Sequence, residues 1–158
     1  MQVGQVELTA LTSAEQDAYR GKHIGMVYQQ SHFLEALTVL ENLRIARRMA
    51  SVSPDEAHYA MLLDRLGIAH KRNRYPRQLS QGEQQRAAIA RALVCKPTLI
   101  LADEPTAALD DYNTREVVRL LQEQATESGA TLLIVTHDSR LQAEFDNRVV
   151  LDHAIAVE

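Results

Sequence analysis

The 158-residue sequence has no tryptophan, two phenylalanines, four prolines and a single cysteine. One thiol cannot form an internal disulfide, and Cys95, set beside Ala92, Leu93 and Val94, reads as plain core in a reducing, cytosolic compartment. The six histidines show no HxxxH or HExxH spacing, so a zinc site built by the protein alone is not expected. No apolar run approaches the roughly 20 residues that a spanning helix needs. The opening MQVGQVELTALTSAEQD has neither the basic flank nor the apolar segment of a signal peptide, and direct membrane insertion is not expected. Positive charge is not in excess either. Seventeen Lys and Arg against 21 Asp and Glu give a net charge of -4, with no general attraction to nucleic acid or anionic lipid. Basic residues cluster at Arg44, Arg47 and Arg48 and between Lys71 and Arg77, in runs short enough to read as solvated faces.

What is present suits one globular core with a small insert, since 46% of residues are hydrophobic and 24% charged. Three segments read as buried strands: HIGMVYQ, TLILADE and TLLIVTH. Continuous apolar runs separated by helical patterns predict an α/β fold whose parallel sheet is covered on both faces. Each run ends in polar residues, Gln29, Asp103 with Glu104, and His137, at the carboxyl edge where open α/β sheets bind ligands. Between the first two strands lies a helical insert. Val39, Leu43, Ala46 and Ala50 form one helical stripe, and Tyr59, Leu62, Leu63 and Leu66 another. The second is expected to start with Ser53 as cap, Pro54 in first position and Glu56 closing a capping box, and to end at Gly67. Tyr75-Pro76 breaks the chain before LSQGEQQR. Val117, Leu120, Leu121 and Ala125 predict a further amphipathic helix, and RVVLDHAIAVE a closing hairpin.

Two motifs carry chemistry. In LSQGEQQR, Ser80 and Glu83 have capping-box spacing, and a helix from Ala87 to Val94 follows. Gly82 leaves the first turn bare, so unpaired amides, the helix dipole and a serine hydroxyl could face an anion. In TLILADEP, two adjacent carboxylates end a buried strand, which is unfavourable unless each finds a partner. Magnesium and a polarised water would supply them, with Asp103 orienting the metal shell and Glu104 handling the proton of the attacking water.

The order of these pieces resembles the ATP-binding-cassette ATPases over nearly the whole chain. VYQQ is similar to the Q-loop, LSQGEQQR to the signature, LILADEP to Walker B, AALD to the D-loop, and the segment at His137 to the H-loop. Gln81 stands where the signature usually has glycine, and Glu83 where it usually has glutamine. HIGMVYQQSHFLEALTVLENL further resembles the subgroup serving lipoprotein release, macrolide export and cell division. The resemblance implies a partial P-loop-NTPase-like sheet with an inserted α-helical subdomain: core to the Q-loop at 1–30, insert at 31–78 extending into the signature helix at 79–95, and core again at 96–158. It implies that ATP and Mg2+ are bound, that Glu104, His137 and Gln29 are catalytic, and that Asp103 and Gln29 touch the metal. Ser80, Gln81, Gly82, Glu83, Gln84 and Asp110 would face nucleotide. The implied partners are a transmembrane permease subunit and a second ATP-binding subunit, and the implied location is peripheral, at the inner face of the cell membrane.

The family's phosphate cradle, GxxxxGK[ST], does not occur in these residues. Gly21-Lys22 is the one Gly-Lys pair, with Gln16 where the first glycine belongs and His23 where Ser or Thr belongs. The sequence is therefore expected to be truncated at its amino end and inactive alone. Losing about four charge-assisted hydrogen bonds of roughly 1.5–3 kcal/mol each removes some 6–12 kcal/mol, as much as or more than the roughly 4–8 kcal/mol of millimolar to micromolar ATP binding. The lost strand is expected beside Thr131 to Thr136, whose edge would stand unpaired. Two alternatives remain: a non-catalytic module that lends its signature to an intact subunit, and a DNA-repair ATPase. Against the second stand the short insert and the absence of a basic surface.

Overall fold

A computed structural model of the protein describes residues 2–3, 6–107, 109–141 and 144–149. A short antiparallel pair, β1 (Gln2–Val3) and β2 (Val6–Glu7), precedes helix α1 (Ser13–His23). Thr12 caps α1, and Glu15 completes the box with a bond from the Thr12 amide at 2.9 Å. The chain then enters β3 (Ile24–Val27), crosses helices α2 (Val39–Met49), α3 (Glu56–Arg65) and α4 (Gln81–Leu93), and returns through β4 (Leu99–Asp103), α5 (Asp111–Ser128) and β5 (Thr131–Val135). The three longer strands form the predicted parallel sheet in the order β3-β4-β5, with Met26, Leu101 and Leu133 in register.

One sheet face carries the core. Val27, Ile100 and Ala102 are buried there, with α4 packed on β3 and α5 on β5. The β3 contact is close because Gly25 has no side chain: a Cβ there would lie 2.4 Å from the Ala92 carbonyl oxygen, a distance no larger residue tolerates. The opposite face differs from expectation. Leu133 and Val135 are 53% and 55% exposed, so β5 alternates between exposed and half-buried residues and has no second cover among the described residues. Its outer edge has no strand neighbour among the described residues.

The insert is helical as read, with two corrections. Helix α3 starts at Glu56 under Asp55, whose Oδ1 accepts the His58 amide at 2.9 Å, and Ser53 does not cap it. Glu56 is drawn instead into a two-bond pair with Arg44 (2.8 Å each), and the Ser53 carbonyl accepts Arg47 Nε at 2.8 Å. Arg47 is accordingly no solvated residue. It is 6% exposed, spans to the Val94 carbonyl at 2.9 Å and lies over the Tyr59 ring. Gly67 closes α3 as expected, at φ 68°, with its amide bonded to Asp64 and the Ile68 amide to Leu63. Cys95 is half-buried against the core, and burial raises its thiol pKa. Beyond Val149, the expected closing hairpin falls outside the described residues. No helix among the described residues is long and apolar enough to cross a membrane.

Candidate functional site

The end of β4 turns sharply. Glu104 has φ 46°, the left-handed region that a non-glycine residue avoids, at a strain of roughly 1–3 kcal/mol. Its amide donates to the Val135 carbonyl at 2.9 Å, one step beyond the β4-β5 ladder. The turn points the side chain across to the end of β5. There Glu104 Oε2 accepts Thr136 Oγ1 at 2.9 Å, and Oε1 accepts the His137 amide at 2.8 Å and faces His137 Nδ1 at 2.6 Å. A carboxylate only accepts, so Nδ1 carries the hydrogen and Nε2 is the ring nitrogen left outward. Glu104 is 16% exposed in its side chain and His137 is 89% exposed. The carboxylate has about four acceptor positions, and three bonds leave one for a further hydrogen.

Asp103 behaves differently from the reading that both carboxylates leave water. It is exposed, its carboxylate has no hydrogen bond or ion pair among the described residues, and only Glu104 is withdrawn from solvent. Among those residues no group of three or more His, Cys, Asp or Glu could hold a metal unaided. An ion here would need phosphate and water as ligands beside Asp103, which is how magnesium is commonly bound at nucleotide sites.

Gln29, exposed just after β3, shares a cleft of about 190 Å3 with Gln30, Gln81, Gln84, Gln85 and Glu104. That volume is below the range of ordinary small-molecule sites, about 300–1,000 Å3, so the cleft by itself is too small to enclose a ligand of ordinary size. Gln81 and Gln84, from the start of α4, lie on the same cleft as Gln29 and Glu104. Gln85 is 6% exposed, and its Nε2 has no hydrogen-bond partner among the described residues.

At the start of α4 the capping box forms as read: Glu83 N donates to Ser80 Oγ at 3.3 Å and Ser80 N to Glu83 Oε2 at 2.8 Å. Glu83 also meets Lys71 Nζ at 3.1 Å, and these partners, the Ser80 amide first, lower its pKa. Ser80 and Gln81 are exposed and Gly82 half-buried, so this turn is outside the chain's own core. Asn113 ties it to the next motif. A Cβ on Gly82 would lie 3.4 Å from Asn113 Oδ1, while Asn113 Nδ2 and N bond the Asp110 carboxylate at 2.9 and 2.8 Å. Those bonds lower the Asp110 pKa and make it the cap of α5.

Five supporting residues were missed: Arg91, Thr106, Thr136, Asp138 and Arg140. Arg91, on α4, donates to the carbonyls of Ser31 and His32 at 2.5 and 2.7 Å and fixes the segment after Gln29. Thr106 is fully buried and donates to Asp138 at 3.2 Å, and Arg140 pairs with Asp138, whose pKa falls to about 2 mainly through that pair. Thr136, beside His137, could have been flagged by adjacency; nothing in the spacing marks Arg91.

A family profile described as ABC transporter matches residues 1–107. The chain is 44% identical over 147 residues to the lipoprotein-releasing system ATP-binding protein LolD of Psychrobacter arcticus, covering 91% of this chain and 65% of that protein. It is 40% identical to the methionine import ATP-binding protein MetN 1 of Burkholderia pseudomallei, covering 99% of this chain and 46% of that protein. The chain thus spans less than two thirds of these relatives. Among solved structures, the ATP-binding cassette MJ0796 in a dimeric post-hydrolysis state bound to ADP and phosphate superposes with a TM-score of 0.75 at 34% identity, covering 86% of this chain and 61% of that one.

Proposed function

Because the chain belongs to the ATP-binding family of ABC transporters, we propose that it is the part of an ATP-binding subunit that carries the hydrolytic strand ends and the signature. In the complete subunit, ATP binding and hydrolysis would drive lipoprotein release or export. The 44% identity to a lipoprotein-releasing protein, with 65% of that protein covered against 46% of the methionine importer, supports that cargo class. Partners would be a transmembrane permease, which holds the subunit at the inner face of the membrane, and a second ATP-binding subunit.

The observation that carries this reading is the Glu104 carboxylate, fixed by Thr136 and His137 with one acceptor position left. That position suits a base for the water that attacks the terminal phosphate. Asp103 and Gln29 would hold magnesium together with phosphate oxygens, and the ion would offset charge on the phosphate. His137 would reach the γ-phosphate through its outward edge. The start of α4 supports a second role. The amides of Gln81 and Gly82 have no partner among the described residues, so with Ser80 they would face a nucleotide held by the neighbouring subunit, with Gln84 and Asp110 shaping that face.

Isothermal calorimetry tests the reading. The 158 residues alone should show no tight, Mg2+-dependent ATP binding, and the same chain preceded by a GxxxxGK[ST] segment should gain it, in the micromolar to millimolar range. Tight binding by the 158 residues alone, or none after extension, would contradict it.

A further inference from the structure

The first turn of α4 carries a negative charge where the proposed function needs a phosphate. Glu83 occupies its third position and bonds the Ser80 amide through Oε2. A helix amino end amounts to roughly half a positive charge, which a full carboxylate in the same turn would outweigh. The other oxygen, Oε1, is held by Lys71 Nζ at 3.1 Å, and the two side chains are only 26% and 24% exposed. Partial burial limits screening by salt, so this pair keeps more of its strength than a surface pair.

Lys71 is delivered by a fixed turn. Its amide donates to the Ile68 carbonyl at 2.9 Å, its carbonyl accepts the Arg74 amide at 2.8 Å, and the next carbonyl, Arg72, accepts the amide of Leu40 on α2. No other permanent cation among the described residues pairs with Glu83. His70 Nε2 stands at 4.0 Å and is 66% exposed, and Arg86 turns to the Leu66 carbonyl.

We propose that Lys71 is a positioning residue for the phosphate-facing end of α4, holding and neutralising Glu83 so that the Gln81 and Gly82 amides can receive an anion. The proposal rests on the reading that these amides serve a nucleotide. It differs from a simple loop-to-helix clasp in one respect. Breaking the pair from the Lys71 side leaves a bare carboxylate, whereas breaking it from the Glu83 side leaves none.

The test is a titration of the full 158-residue chain with inorganic phosphate at constant ionic strength, followed by amide NMR. Gln81 and Gly82 should shift in the wild type. Lys71→Ala should weaken phosphate binding about three- to fivefold, Lys71→Arg should retain it, and both Glu83→Gln and Lys71→Ala/Glu83→Gln should bind at least as well as wild type. Unchanged Ala88 and Ile89 amides confirm that α4 is intact. Lys71→Ala with wild-type affinity, or Glu83→Gln as weak as Lys71→Ala, would overturn the proposal while leaving the reading of the α4 end in place. Still amides at Gln81 and Gly82 in the wild type would overturn both.

Discussion

At the scale of single residues, this chain keeps polar groups in places that folding alone does not favour. Glu104 sits in a left-handed turn with its carboxylate mostly withdrawn from water, and Gln85 buries an amide nitrogen with no acceptor among the described residues. An unsatisfied buried donor costs about 1–3 kcal/mol, whereas an apolar group of similar shape loses little. Gln85→Met should therefore leave stability unchanged or raise it by about 1 kcal/mol, read from the urea midpoint. A loss above about 2 kcal/mol would show that Gln85 has a partner in solution and refute this account of it. Arg47 is the converse case. Its guanidinium satisfies the Ser53 and Val94 carbonyls, so its charge serves packing of the insert and leaves none for a partner surface.

At the scale of elements, helix α4 is the hub. It packs on β3, α2, α3 and α5, begins at the signature turn, and through Arg91 holds the segment that follows Gln29. Its far end touches α3 near His58, which is 8% exposed with an unpartnered Nε2. Burial first, and then Lys96, lower the His58 pKa below its ordinary 6.5, opposed by the Leu93 carbonyl and Asp55. The unfolded chain therefore binds this proton more readily. Stability is full above pH 6.5 and falls as pH drops through that value toward the lower folded-state pKa. Chemical denaturation between pH 7.5 and 5.5 should show the decline, and His58→Leu should flatten it. A variant with the wild-type slope would place its origin elsewhere.

Across the whole molecule, sequence patterns were most legible where apolar spacing and capping chemistry act locally. The three strands of the sheet, the α4 capping box, the Gly67 stop and α5 each follow from residues close together in the sequence. Helix α1 was not predicted, although Thr12 and Glu15 spell a capping box. Features set by distant partners were not readable: Arg44 drawing Glu56 out of a cap, Arg47 reaching Val94, Arg91 reaching Ser31. The site was legible as an ordered set of motifs, but not as a geometry. That Glu104 leans on Thr136 and His137 while Asp103 stays in solvent depends on a turn at φ 46° that no spacing announces.

The central claim is that Glu104 is the base at a γ-phosphate. The direct measurement is ATP turnover and nucleotide retention in a version extended by a GxxxxGK[ST] segment, with and without Glu104→Gln. Glu104→Gln should hold ATP-Mg2+ with affinity near that of the parent while turnover falls by about 10²–10⁴. Turnover equal to the parent would contradict the claim and leave the Thr136–Glu104–His137 cluster a structural clasp between two strands.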